Sequence, residues 1–220
     1  MDLNGKLALV TGASRGIGYH TALSLAKAGA HVICLARTVG GLEELDDEIQ
    51  AAGGQATLVP LDLLDFDAID RLGASIYERW GKLDILVGNA GMLGSLSPIE
   101  HLEPKSFEKV FALNVTANWR LMRSMSPLLR GADRGQALFM TSSIAKDNKP
   151  FWGGYAASHA ALQALVETWA AENSKTNLSI TLFDPGPTET ALRASAMPGE
   201  DRANLCHPSE IGKKILTELG

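Results

Sequence analysis

One stretch constrains the fold more than any other. The fully apolar run Leu7-Ala8-Leu9-Val10 passes directly into Thr11-Gly12-Ala13-Ser14-Arg15-Gly16-Ile17-Gly18. A strand with no polar face must be covered on both sides, as in a parallel sheet between two helix layers. Gly12, Gly16 and Gly18 then fall where that strand turns into a helix. A turn of this kind needs residues without a Cβ, so that the backbone bends sharply and approaches a ligand closely. The following helix points free N–H groups and its positive dipole end at the same place. The guest this arrangement suits is a diphosphate, so a bound dinucleotide is expected.

The rest of the chain continues the alternation. Strands are predicted at 6–11, 31–36, 56–60, 83–88, 136–141 and 178–184. Helices are predicted near 16–28, 41–52, 66–80, 104–130, 153–174 and 208–218. Strand–helix alternation gives a parallel sheet with right-handed crossovers. No repeat, linker or low-complexity segment interrupts it, so residues 1–220 are expected to form a single domain. The balance of 45% hydrophobic and 20% charged residues fits a globular protein. A net charge of -5 without a run of Lys and Arg argues against nucleic acid as a partner. No stretch is apolar for long enough to span a bilayer, so no membrane partner is expected. The two cysteines, Cys34 and Cys206, cannot make a disulfide framework. With no apolar signal region at the start, a cytoplasmic location is expected. The histidines show no metal-ligand spacing, and no metal is expected.

Several polar residues fall at the predicted carboxyl edge of the sheet or on helices beside it, where open α/β sheets bind ligands. Asn89-Ala90-Gly91 closes the fourth strand and Asp184-Pro185-Gly186 the sixth. Ser142 ends the fifth strand, thirteen residues before Tyr155. Tyr155 and His159 are four apart and share one helix face. Asn114 lies within the long preceding helix.

With these residues in this order, the chain resembles the short-chain dehydrogenase/reductase family, of its small one-domain type. The matching pieces run from Thr11 to Thr190. They are Thr11-Gly12-x-x-x-Gly16-x-Gly18, Asp62, Asn89-Ala90-Gly91, Asn114, Ser142, Tyr155 and Pro185-Gly186-x-x-x-Thr190. The resemblance implies a doubly wound Rossmann-type α/β domain and an oxidoreductase interconverting a carbonyl and a secondary alcohol. It implies that Gly12, Ser14, Gly16, Ile17 and Gly18 cradle cofactor phosphates and adenosine ribose. Asp62 and Leu63 would contact the adenine, and Asn89, Ala90 and Gly91 would line the ribose and nicotinamide pocket. Pro185, Gly186, Thr188 and Thr190 would hold the nicotinamide end. Ser142 would bond the substrate carbonyl, and Tyr155 would act as general acid in reduction and base in oxidation. Asn114 would hold a water in a proton relay.

For the cofactor, an NAD enzyme wants an acidic residue at the end of the second strand. Here Ala36 and Arg37 stand there, and Arg15 lies in the glycine turn. Two guanidiniums and no carboxylate favour the 2′-phosphate of NADP(H) over NAD(H). The alternative is that both arginines are solvated surface charges.

The chain departs from the family at one position. Four residues after the tyrosine the family has a lysine, whose charge lowers the tyrosine pKa and which binds the ribose hydroxyls; this chain has His159. An ordinary histidine titrates near ~6.5 and is mostly uncharged at neutral pH. Three readings follow. His159 substitutes for the lysine in a working enzyme; or the chain binds NADP(H) without turnover, as a pseudoenzyme or sensor; or a nearby cation, Lys146 or Lys149, compensates. A second departure is that no seventh strand follows the last helix, so six strands are expected. Together with the small face of Ala156, Ala157, Ala160, Ala161 and Ala164, this favours a homodimer over a tetramer. Segments 92–103, 144–154 and 187–207 are expected to line a mostly apolar substrate site through Met92, Leu93, Phe151, Trp152, Leu192 and Met197. A medium-sized apolar ketone or alcohol fits such walls; Lys146 and Lys149 leave open a thioester on an acidic carrier.

Overall fold

The computed structural model describes residues 1–220. Its strands are β1 (Leu7–Thr11), β2 (His31–Ala36), β3 (Gln55–Pro60), β4 (Ile85–Gly88), β5 (Gly135–Met140) and β6 (Leu178–Phe183). They form one parallel sheet in the order β3-β2-β1-β4-β5-β6. The order reverses between β1 and β4, so a crevice opens at their carboxyl ends. β1, β4 and β5 are buried along their whole length, which is why their sequences carry no polar face.

The period of two along β1 divides the core. Ala8 and Val10 face one apolar layer, with Leu25, Leu42, Leu45, Ile49 and Ile211. Leu7 and Leu9 face the other, with Ile69, Ile76, Leu121, Met125 and Leu162. The first layer is built by α1 (Gly16–Lys27), α2 (Val39–Ala51) and the last long helix (Pro208–Glu218). The second is built by α3 (Phe66–Trp80), by the 104–130 segment and by the Gly153–Glu172 helix. No helix is long and apolar enough to cross a membrane.

Residues 104–130 were expected as one uniform helix, and the structure corrects this. The segment is α4 (Pro104–Phe111), a π-helical turn (Ala112–Ala117) and α5 (Asn118–Arg130). Pro104 at the first turn and the Glu103 carboxylate, which accepts from Lys105 N and Ser106 N, start it cleanly. The π-turn displaces main-chain carbonyls from the ordinary ladder, and Asn118 Nδ2 donates to the Asn114 carbonyl at 2.8 Å. Two short helices were not foreseen, α6 (Ile144–Asp147) and α8 (Ala191–Ala196). They flank α7 (Gly153–Glu172) and precede α9 (Pro208–Glu218). Each is too short for a periodic signal and lies in a segment that borders the crevice.

Candidate active site

The glycine turn is held from within. Gly12 and Gly16 adopt φ of 67° and 59°, a left-handed backbone that side chains rarely tolerate. Gly18 is required for a different reason: a Cβ there would run into the Asn89 side chain and the Gly12 carbonyl. Asn89 Nδ2 donates to the Thr11 carbonyl at 2.8 Å. Thr11 Oγ1 in turn accepts from Asn89 N at 2.9 Å and Ala90 N at 3.0 Å. Thr11 therefore ties the ends of β1 and β4 together, a role its sequence position did not announce. Asn89, expected to line the pocket, also spends its amide inside the turn. The N-cap of α1, Arg15, offers no side-chain hydrogen bond, so its first N–H groups face the crevice uncapped.

A cleft of about 1740 Å³ runs across the carboxyl edge of the sheet. Such a volume exceeds a typical single-ligand pocket and has room for a dinucleotide with a small substrate. Every catalytic and cofactor-binding residue expected from the sequence lines it except Gly18, which lies beneath the turn. At one end stand Arg15, Arg37, Asp62 and Leu63. Arg37 Nη1 lies 3.9 Å from Asp62 Oδ2, a loose pair between partly exposed groups. Asp62 also accepts from Leu64 N at 3.0 Å, which holds its loop.

At the other end, Tyr155 and His159 rise from the first turns of α7, their ring centroids 4.4 Å apart. Ser142, two residues past the end of β5, lines the same cleft. Burial pushes the Tyr155 hydroxyl up to about 12, and the Asp184 carboxylate adds to the rise. Burial also pushes the His159 imidazole down to about 4, against the opposing pull of Asp184. His159 is only 7% exposed, and its Nδ1 has no partner in the protein. Asp184 is fixed by Ser143 N at 2.7 Å and Gly186 N at 2.9 Å. No cation registers on Tyr155. Lys146 does not line the cleft, and Lys149 lies over the ring of Trp152, which in turn packs on the tyrosine.

Asn114 supports this end through the π-turn. Its Oδ1 accepts from Met92 N at 2.9 Å, and its Nδ2 donates to the Met92 carbonyl at 2.9 Å and to Ser158 Oγ at 3.0 Å. Ser158 in turn donates to the Tyr155 carbonyl at 2.8 Å. Ser158 and Asn118 carry no sequence signal of a site role; both are buried polar residues with satisfied partners, identifiable only once the helices meet.

Thr188 and Thr190 shape the opposite rim. Thr188 Oγ1 donates to the Gly186 carbonyl at 3.1 Å, and the Thr190 hydroxyl caps α8 by accepting from Arg193 N at 3.1 Å. Beyond them Leu93, Ile144, Trp152 and Ala196 form a small apolar cluster with Leu96, Tyr155, Leu192 and Met197 against it. Phe151, expected in this wall, is instead 58% exposed at φ 74° and lies outside the cleft.

The fit to a dinucleotide rests on two observations. The turn is a glycine cradle at the end of β1, with α1 uncapped behind it. At the far end, His159 Nδ1 is a buried polar atom with no hydrogen-bond partner within the protein, a position suited to a ligand hydroxyl.

Comparison with known proteins agrees with this geometry. The family model for short chain dehydrogenases matches residues 6–201. The chain is 36% identical to the oxidoreductase YciK of Escherichia coli K12, over 99% of this chain and 87% of that protein. A short chain dehydrogenase from Shigella flexneri 2a, solved with NADP, superposes with a TM-score of 0.94 at 35% identity, covering 99% of this chain and 92% of that one. A counterpart from Escherichia coli CFT073, solved with NADPH, gives 0.92 at 35% identity, with the same coverage of 99% and 92%.

Proposed function

The chain belongs to the short-chain dehydrogenase/reductase family of oxidoreductases, and from that premise we propose that it interconverts a carbonyl and a secondary alcohol with NADP(H). The observation that carries this reading is Tyr155 in the cleft, packed on a neutral His159 whose buried Nδ1 has no partner within the protein. When bound, NADPH supplies the hydride. Gly12, Ser14, Arg15, Gly16, Ile17 and Gly18 would form the phosphate turn, and Arg37 would take the 2′-phosphate in exchange for its loose pairing with Asp62. The relatives solved with NADP and NADPH support that choice of cofactor.

Ser142 orients the substrate oxygen toward Tyr155. The Tyr155 phenol stays protonated at neutral pH and donates its proton to that oxygen as reduction proceeds. His159 would exchange one hydrogen bond with a ribose hydroxyl of the bound cofactor and, being neutral, would add no charge. Asn114, through Ser158, holds the first turn of α7 in place. The apolar wall around Trp152 and Leu192 excludes water from the reacting carbonyl. A homodimer would form through the small face of α7, where Ala157, Ala160 and Ala164 are exposed.

The test is NADPH consumption against a panel of ketones and aldehydes. Wild-type turnover that vanishes in Tyr155→Phe is the expected result. One observation favours a second reading: no cation faces Tyr155, so the chain could bind NADP(H) without turnover. That reading requires NADPH binding without consumption in the wild type and consumption in His159→Lys.

A further inference from the structure

The mouth of the cleft carries a charge arrangement that hydride transfer does not explain. Arg193, on α8, makes a two-point fork to Glu200, with Nε donating to Oε2 at 2.6 Å and Nη2 to Oε1. This clasp closes the Met197-Pro198-Gly199-Glu200 turn over the apolar cluster. Across the mouth, the Lys149 ammonium sits 4.8 Å from the Trp152 ring centroid and 3.8 Å from Met197 Sδ. No carboxylate lies within ion-pair distance of it. Asp147 and Glu189 line the same cleft without reaching it. Glu200 is committed to Arg193, and its carboxyl is held below the usual range by that guanidinium first and by Lys149 as a lesser contributor. The three groups together therefore carry one positive charge without a counterion.

We propose that Lys149, set against the Arg193–Glu200 clasp, reads an anionic group at the distal end of an otherwise apolar substrate. The placement follows from the rings. Trp152 meets Tyr155 edge-on at 5.9 Å between centroids and carries Lys149 on its face. A substrate body lying along the indole and the Leu192–Met197 wall brings its carbonyl to Tyr155 and its far end to Lys149. Lys149 is exposed, and apart from solvent its ammonium has only a ring face and a thioether as partners, both weaker than the carboxylate or phosphate oxygen that an anionic substrate would bring. The clasp supplies the lid with a fixed geometry, because a two-point guanidinium–carboxylate fork sets orientation as well as distance. This inference rests on the carbonyl-reductase reading for where the carbonyl sits, but the anion site itself needs no turnover to be observed.

The experiment is calorimetric binding of octanoate, 1-octanol and octanoyl coenzyme A to the wild type, Lys149→Met and Lys149→Arg. The wild type is expected to bind octanoate about fivefold more tightly than 1-octanol, the scale of a partly exposed charge pair. That ratio should fall to about one in Lys149→Met and be kept in Lys149→Arg. A dependence on Lys149 seen with octanoate identifies a carboxylate as the ligand group; one seen only with octanoyl coenzyme A identifies a phosphate. Equal binding of all three ligands overturns the proposal, as does a preference for the anions that survives Lys149→Met. Because binding is read directly, loss of the reductase reading on the carbonyl panel leaves this result interpretable.

Discussion

The two ends of the cleft are built by different means. At the phosphate end the cradle itself is backbone, two left-handed glycines and the uncapped N–H groups of α1, with the Thr11 and Asn89 side chains fixing the turn from behind. At the catalytic end the working parts are side chains, and their properties come from burial and neighbours. Tyr155 and His159 are both pushed toward their neutral forms, with Asp184 the one charge that registers on the pair. Binding and chemistry are thus physically separable in this molecule, and a substitution at one end should leave the other working.

Tyr155→Phe should break that pairing most severely. Loss of the proton donor is expected to lower carbonyl reduction by ~10³-fold, while NADPH affinity shifts by less than about tenfold, as steady-state rates and fluorescence titration would record. A comparable fall in both would mean that the two ends are not independent.

Acid stability is the next largest effect. Burial holds His159 down to about 4 in the folded chain, against ~6.5 unfolded. Between those values the unfolded state binds a proton that the folded state refuses, so stability is intact above about pH 6.5 and is lost as pH falls toward about 4. The limit is ~3 kcal/mol, and His159→Gln should remove that component. Urea unfolding of both proteins near pH 7 and pH 4.5 measures it; an identical acid loss in the variant would show that the imidazole is not the responsible group.

At the opposite end, Arg37→Asp is expected to weaken NADPH binding by roughly ten- to a hundredfold, as loss of a charge-assisted phosphate contact implies, with NADH binding held or improved. Competitive titration of the two cofactors decides it, and an unchanged preference would reduce Arg37 to a solvated surface charge.

The smallest expected effect sharpens the comparison most. His159→Lys places a cation beside a tyrosine that has none, which lowers the Tyr155 pKa and makes its anion available at lower pH. Alcohol oxidation near pH 8 should rise by roughly tenfold for each unit of that shift. A pH–rate profile that does not move would show that His159 is not standing in a lysine's place.

The uneven legibility of the sequence has the same origin as the uneven construction. A backbone requirement leaves a mark in the sequence, because only glycine meets it; Gly12 and Gly16 could be read directly. Strands β1 and β4 were equally readable, since burial on both faces forces apolar runs. The π-turn around Asn114 was not, because no residue type specifies it, and its Asn118 bond forms only within the finished helix. Phe151 was misplaced because an apolar residue in a lining segment is normally turned inward, whereas here the chain passes through a left-handed backbone and turns it out. His159 was visible as a departure, but its neutral state follows from burial that no spacing reveals.

The most direct test of the account follows NADPH binding and carbonyl-dependent NADPH consumption side by side, in wild type and His159→Lys, from about pH 6 to pH 9. The account expects the wild type to bind and consume NADPH, with a reduction rate nearly flat across that range because Tyr155 remains protonated throughout. Tight binding with no consumption at any pH, alongside turnover in the lysine variant, would contradict it and leave a cofactor-binding protein without catalysis.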